Sequence, residues 1–464
     1  MDSFRQYDAI VIGSGQGGTP LSMALAKAGM RTALVERKHV GGTCINEGCT
    51  PTKTMVASGR VAYLSRRAAD YGVNVGSISI DFEKIRQRKR DIVNSFRGGS
   101  ENRIQKTENL DLLFGEASFS APKTVVVRSR HDAERTLTAS QIFINAGTRA
   151  SRPKLDGLDR VSSLDNESIM ELGAVPEHLL ILGGGYIGVE FGQLFRRLGG
   201  RVTIVQNGSQ LLAREDSDIA EEVTKILRQD GIDVLFNAKP LHVDQDGAIV
   251  RVEIGGPEGA TFAAGSHLLV ATGRTPNSDT LNLAAAGIQA DEHGFIRVNE
   301  RLETNVEGVY ALGDIKGGPA FTHISYDDFR IIQANVLEKK KASTKDRQVP
   351  YCVFMDPQLG RIGMTESEAR SQGRKIRVAQ LPMSSVARAL EVDETRGFMK
   401  AVVDQETNQI LGAAVLGIEG GEVMAVLQTA MMGGLPYTAL RDATFAHPTL
   451  AESLNNLFMA MDNV

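Results

Sequence analysis

Cys44 and Cys49 stand in the run Gly41-Gly42-Thr43-Cys44-Ile45-Asn46-Glu47-Gly48-Cys49-Thr50-Pro51-Thr52-Lys53, with four residues between them. The chain of 464 residues holds only three cysteines, so two are concentrated in one short segment. Two thiols this close can form and break a disulfide, releasing or taking up electrons, whereas a chain with no secretory signal has little use for a structural one. Zinc sites usually need four ligands at closer spacings, so two buried thiols or an incidental metal pair fit less well. The segment reads as a redox centre. The thiolate is the reactive form, and a nearby positive charge or helix N-terminus lowers a thiol below its ordinary value of about 8.5. Pro51, near the start of the following helix, suits that arrangement.

A redox pair needs an electron source, and two stretches offer nucleotide sites. Tyr7-Asp8-Ala9-Ile10-Val11-Ile12 predicts a buried strand, followed by Gly13-Ser14-Gly15-Gln16-Gly17-Gly18 and a helix from Pro20 to Ala28. Gly13 allows a tight turn, Gly15 lets the backbone approach a pyrophosphate, and Gly18 lets helix and strand pack closely, with the helix N-terminus aimed at the phosphates. The next strand, Thr32 to Val35, ends at Glu36, placed to accept from a ribose hydroxyl. The pattern returns as Leu179-Leu180-Ile181-Leu182, then Gly183-Gly184-Gly185-Tyr186-Ile187-Gly188 and a helix through Leu198. Gly183, Gly185 and Gly188 repeat the first three roles. Two such sites imply two dinucleotides. In the second copy a neutral Gln206 stands where a carboxylate would favour NAD, so a 2′-phosphate meets no fixed negative charge. Arg201 and Arg214 are the candidate cations, and the cofactor is NADPH or NADH.

Composition bounds the rest. A chain this long should divide into about three or four domains. A net charge of −4 and 48 glycines describe an ordinary α/β protein, without the basic excess expected of a nucleic-acid binder. Met1 to Tyr7 leaves no room for a signal peptide, and no apolar run approaches a membrane span, so a cytoplasmic location with no membrane partner is expected.

The cysteine block, both glycine fingerprints and several later landmarks resemble the pyridine nucleotide-disulfide oxidoreductases, the class I flavoproteins that include dihydrolipoamide dehydrogenase, glutathione reductase and mercuric reductase. Ile144-Asn145-Ala146-Gly147-Thr148 and Ala271-Thr272-Gly273-Arg274 resemble the family's crossover segments, and Thr304 through Val309-Tyr310-Ala311-Leu312-Gly313-Asp314 its second flavin motif. The resemblance implies an α/β fold with two Rossmann-like dinucleotide-binding domains, for FAD and NAD(P), and a C-terminal α+β dimerisation domain. The expected segments are 1–149 and 276–345 for FAD, 150–275 for NAD(P)H and 346–464 for dimerisation. It implies FAD contacts from Gly13, Gly15, Gly18, Glu36, Gly42, Thr43, Lys53, Gly147 and Asp314. Gly183, Gly185, Gly188, Gln206 and Gly273 are expected at the second nucleotide.

By the same resemblance Cys49 lies against the flavin, Cys44 meets the acceptor, and Lys53 near the flavin is paired with Glu190. Phe445-Ala446-His447-Pro448-Thr449-Leu450-Ala451-Glu452 resembles the catalytic HPT-x-x-E block, with His447 as acid/base and Glu452 orienting it. In the family this histidine reaches the disulfide of the other subunit, which implies a homodimer.

No cysteine follows Cys352, which disfavours mercuric reductase proper and the large thioredoxin reductases, both of which need a second pair in that tail. Cys352 itself reads as a core thiol. Phe321-Thr322-His323-Ile324-Ser325-Tyr326-Asp327-Asp328-Phe329-Arg330, with Pro51-Thr52-Lys53-Thr54, resembles the mercuric-reductase-like, RclA-type branch. That branch implies reduction of a metal ion such as copper(II) or mercury(II), which meets Cys44 and Cys49 as a transient substrate, with no resident metal. The alternatives are a small-disulfide reductase, with dihydrolipoamide the leading substrate, and a redox-responsive flavin-binding scaffold. Glu47 is a candidate to help hold a cation beside the dithiol, although a solvated loop carboxylate is the commoner reading of such a residue.

Overall fold

The structure is a computed structural model describing residues 4–129, 133–256 and 259–463, and it divides into two compact units. The first comprises Met1–Thr54, Lys84–Ser151 and Gly273–Arg347. Its central sheet runs, in spatial order, Leu110–Phe114, Thr32–Glu36, Phe4–Ile12, Arg135–Ile144 and Val309–Ala311, all parallel. A parallel sheet covered on both faces demands unbroken apolar runs, which is why Ala9-Ile10-Val11-Ile12 is buried throughout. Ile10 stands opposite Ala33 on one side and Ile142 on the other. This strand begins at Phe4, three residues before the apolar run, because Phe4, Arg5 and Gln6 pair through their backbones with Thr136, Leu137 and Thr138 while their side chains stay exposed.

Helices Gly18–Lys27 and Thr322–Val336 cover one face, packing Leu21, Leu25, Phe329 and Ile332 against Ala9, Val11 and Leu34. The parallel order reverses direction between Phe4–Ile12 and Arg135–Ile144. In such sheets ligands bind outside the carboxyl ends of the strands at that switch point.

The second unit comprises Met55–Glu83, Arg152–Thr272 and Gln348–Val464. Its parallel sheet runs Asp233–Leu235, Arg201–Val205, His178–Leu182, His267–Val270 and Ser163–Leu164. A separate antiparallel sheet runs Tyr351–Val353, Gln358–Gly363, Ile410–Gly417, Phe398–Asp404 and Ile376–Pro382. Helices Gly420–Met432 and Ser453–Met459 back it, burying Leu427, Leu454 and Phe458 against Ile362, Met399 and Val415.

Inside this unit the two sheets are joined by ions. Asp216, just ahead of helix Ser217–Gln229, accepts the N–H groups of Glu366 (2.9 Å) and Ser367 (3.0 Å), the Ser367 hydroxyl (2.6 Å) and the Lys400 ammonium (3.2 Å). Burial alone would raise its carboxyl, but the Ser367 and Glu366 hydrogen bonds and the Lys400 charge hold it down to about 2. A carboxylate depressed below its unfolded value of 3.8 stabilises the fold above that pH, and the contribution is lost as pH falls toward the folded value. Urea unfolding should therefore show wild type ahead of Asp216→Asn by about 1–2 kcal/mol at neutral pH, after allowance for solvent screening. That advantage should shrink steadily between pH 5 and pH 3, and a pH-independent difference would contradict the assignment.

Candidate active site

Both glycine fingerprints adopt the same crowded turn. Gly13 has φ 97° and Gly183 φ 108°, and a Cβ on either would fall 2.3 Å from Asn145 O or 2.5 Å from Ala271 O. A Cβ on Gly18 or Gly188 would lie 2.0 or 2.1 Å from the carbonyl of the first glycine of its own loop. Each turn thus brings bare backbone to the carboxyl end of a central strand, as a pyrophosphate needs. Gly15 and Gly185 lie between these fixed points, and Gly42 packs against Gly15.

The residue that ends the next strand closes each loop. Glu36 Oε2 accepts from the Ser14 N–H (3.0 Å) and hydroxyl (2.6 Å), while Oε1 accepts the Lys38 N–H. In the second loop Gln206 Oε1 accepts the equivalent Gly184 N–H at 2.9 Å, and its Nε2 donates to Gln210 O. The architecture is the same with the charge removed. Of the two candidate cations, Arg201 lies at the opposite end of its strand from Gln206, about 16 Å away at strand rise, and pairs with Glu177. It is therefore excluded. Arg214 is exposed on the loop whose Leu212 N–H donates to Gly184 O.

Asn145, at the end of strand Arg135–Ile144, organises the first site. Its Oδ1 accepts the Gly18 N–H (2.9 Å), and its Nδ2 donates to Leu312 O (2.8 Å) and Ser325 Oγ (3.3 Å). Beyond Leu312, Asp314 sits in the turn Gly313–Lys316 and accepts from the Thr148 hydroxyl at 3.2 Å, which in turn accepts from Arg274 Nε. Burial pushes the Asp314 carboxyl up, against the pull of Arg274, Thr148 and Lys316. Gly147 and Gly273 flank these residues, their carbonyls accepting from Asn277 N and Ser151 N. Asp328, fully buried, accepts the Gly313 N–H and the Arg347 guanidinium. These residues fit a dinucleotide: a glycine turn that offers bare backbone, an acidic strand end, and the half-buried Asp314 carboxylate.

Cys44 lies half-buried in the short helix Gly42–Asn46, entered through left-handed Gly41. Asn46 locks that helix, donating to Val40 O and Gly42 O while accepting from Arg97 Nε at 2.8 Å. Thr43 lies inside the same turn. Cys49, exposed, is the first residue of helix Cys49–Arg66, where the N-terminal dipole favours a thiolate. Lys53 follows one turn later on that helix. The Cys44 thiol is pushed far up, first by its hydrogen bond to Cys49 and then by burial, with Thr322 and Lys53 pulling the other way. The two sulfurs are therefore held together and resist losing a second proton. Glu47, a candidate cation ligand, is paired with Lys38 at 3.1 Å. Cys352 is half-buried at a strand edge beside Val353 O and Gln358 rather than in the core.

In the second unit His447 Nδ1 meets both carboxylate oxygens of Glu452, at 2.9 and 3.1 Å, with the ring exposed. Glu190 is buried in helix Tyr186–Arg197 and accepts the Phe354 N–H at 2.8 Å. It belongs to a different compact unit from Lys53. Among the described residues no cluster of three or more His, Cys, Asp or Glu is arranged to hold a metal, and no helix is long and apolar enough to cross a membrane.

Sequence reasoning missed Asn145 as an organiser, along with Asp328, Arg347 and Thr322. Asn145→Leu keeps the branched shape but strands the Gly18 N–H and Leu312 O, so a loss of about 2–4 kcal/mol in urea unfolding is expected. Flavin retention through gel filtration should fall with it, and unchanged stability and retention would contradict the organising role.

The chain matches the family model for pyridine nucleotide-disulphide oxidoreductases over residues 7–328 and the model for their dimerisation domain over residues 349–458. It is 39% identical over 458 residues to the probable pyridine nucleotide-disulfide oxidoreductase RclA of Escherichia coli K12, covering 98% of this chain and 99% of that one. A mercuric reductase of Bacillus cereus is 33% identical, with 98% of this chain and 72% of the relative aligned. A dihydrolipoyl dehydrogenase of Bacillus subtilis is 31% identical, over 96% and 94%. Among solved structures, the Cu(II) complex of the HOCl-induced flavoprotein disulfide reductase RclA from Escherichia coli superposes with a TM-score of 0.90 at 38% identity, covering 98% of this chain and 99% of that one. The chain therefore belongs to the pyridine nucleotide-disulphide oxidoreductases, α/β flavoproteins with Rossmann-like sheets and a C-terminal dimerisation domain that use FAD and NAD(P)H.

Proposed function

We propose that this protein carries electrons from NAD(P)H through FAD to the Cys44–Cys49 pair and on to a thiophilic or redox-active metal ion, copper(II) first and mercury(II) next. The observation that carries the reading is the hydrogen-bonded thiol pair at a helix N-terminus, backed by Lys53 and Thr322. The 39% identical relative, known structurally as a Cu(II) complex, supports the choice of acceptor.

Residues 1–149 and 276–345 are assigned to FAD, 150–275 to NAD(P)H and 346–464 to dimerisation. Gly13, Gly15, Gly18, Glu36, Gly42, Thr43, Lys53, Gly147 and Asp314 would hold the flavin, and Gly183, Gly185, Gly188, Gln206 and Gly273 the nicotinamide nucleotide. When bound, FAD would take a hydride from NAD(P)H and hand the electron pair to a disulfide. Lys53 and Glu190 are assigned as the charged pair of that region, on the family motif. The reduced pair keeps one proton between its sulfurs, so Cys44 must lose that proton before it engages an acceptor. Re-forming the disulfide releases two electrons, enough to convert two copper(II) ions to copper(I) or one mercury(II) ion to the metal. Soft thiolates suit both.

His447 favours a second reading. A carboxylate can only accept, so Glu452 fixes the hydrogen on Nδ1 and leaves Nε2 to take a proton from an incoming dithiol. We assign His447 to the Cys44–Cys49 pair of a second subunit in a homodimer, which makes a small-disulfide reductase, with dihydrolipoamide the leading substrate, the alternative. A cytoplasmic setting, where thiols stay reduced, suits either.

Steady-state NADH and NADPH oxidation by the FAD-loaded protein, with copper(II), mercury(II), lipoamide and oxidised glutathione as separate acceptors, separates them. Metal-dependent turnover above the oxygen blank that collapses in Cys44→Ser is expected. Robust lipoamide turnover with no metal response would overturn the metal reading, and His447→Gln should then cost at least about a hundredfold in kcat.

A further inference from the structure

Thr322 Oγ1 lies 3.4 Å from Cys49 Sγ, across 273 residues of sequence. The same hydroxyl is also within hydrogen-bond reach of Cys44. It carries one hydrogen and can serve one sulfur at a time. An ionised sulfur can only accept, so Thr322 becomes a committed donor once one thiol of the pair has lost its proton.

We propose that the Thr322 hydroxyl is a positioning residue that fixes the negative charge of the reduced pair on Cys49. The inference rests on the reading of Cys44 and Cys49 as a redox pair.

Geometry supports the assignment. Thr322 opens helix Thr322–Val336, with extended Phe321 ahead of it, and that helix is pinned within its first two turns. Ser325 Oγ is held by Asn145, and Asp328 by the Gly313 N–H and Arg347. Phe321 and His323 stack at 5.4 Å on either side of Thr322 in sequence, which further limits the start of the helix. The hydroxyl is thus delivered by rigid scaffold rather than by a mobile loop. Cys49 opens its own helix, so two helix N-termini and one hydroxyl converge on that sulfur. Cys44, whose thiol is pushed up by its hydrogen bond to Cys49 and by burial, is placed to donate to the same atom. A sulfur accepting two hydrogen bonds at a helix N-terminus is the one that holds charge.

A disulfide sulfur is a poor acceptor, so this hydrogen bond favours the reduced pair over the oxidised one. The test is the equilibrium between the FAD-loaded protein and glutathione buffers. Two protein thiols become one disulfide as one glutathione disulfide becomes two glutathione thiols, and the populations are trapped by acid quench and read by mass spectrometry. Thr322→Val keeps the shape and removes the hydroxyl, whereas Thr322→Ser keeps the hydroxyl and removes a methyl. Val should shift the equilibrium about tenfold toward the disulfide, the scale of one hydrogen bond to a charged group, and Ser should stay within about twofold of wild type. Thermal melts of the oxidised forms confirm that each variant is folded. A Val variant matching wild type, or a Ser variant shifted as far as Val, overturns the proposal. No nicotinamide or metal takes part, so a failed metal assay leaves this result standing. A wild-type pair that does not exchange with glutathione at all would overturn both readings.

Discussion

The first unit depends on one buried amide. Asn145 binds the start of the fingerprint helix at Gly18, the strand end at Leu312 and the helix that carries Ser325, so three segments remote in sequence converge on one side chain. A buried polar group left unpaired costs about 1–3 kcal/mol, so each of these segments is held by the need of the others to be satisfied. That node acts by position. Leu312 leads into Asp314, and Ser325 lies one turn after Thr322, which touches Cys49. The proposed flavin groove and the redox pair are therefore set by one hydrogen-bonding centre that performs no chemistry itself.

The second fingerprint shows how the same scaffold is adjusted. Crowding at Gly183 and Gly188 reproduces that at Gly13 and Gly18 to within about 0.2 Å, because a glycine turn that packs helix on strand has little geometric freedom. The variation lies in Gln206. It makes the loop-closing bond that Glu36 makes, yet carries no charge to repel a phosphate. Loop closure and nucleotide choice are thereby separated: the first needs only a carbonyl-type oxygen, the second depends on charge.

Much of this was legible in the sequence because it is local. Fingerprint glycines, buried parallel strands, the acidic strand end and the cysteine pair are short-range patterns enforced by backbone sterics. The start of the first strand at Phe4 was not, since those residues pair by backbone while exposing their side chains. Asn145, Asp328 and Thr322 were not singled out as contacts, because each is an ordinary polar residue whose meaning arises from partners more than a hundred residues away or from a buried turn. Arg201 misled for a related reason, because composition near Gln206 does not say which end of the strand an arginine occupies. Glu47 looked available as a ligand, but in the fold Lys38 stands beside it.

The central claim is that a bound flavin and the Cys44–Cys49 pair form one electron path. Anaerobic reductive titration of the FAD-loaded protein tests it most directly, by counting the electrons absorbed before the flavin absorbance is fully bleached. Wild type is expected to take up twice the electrons its flavin alone can hold, and Cys44→Ser only the flavin's share. Equal uptake by both proteins would show that the dithiol is not in the path and would contradict the account.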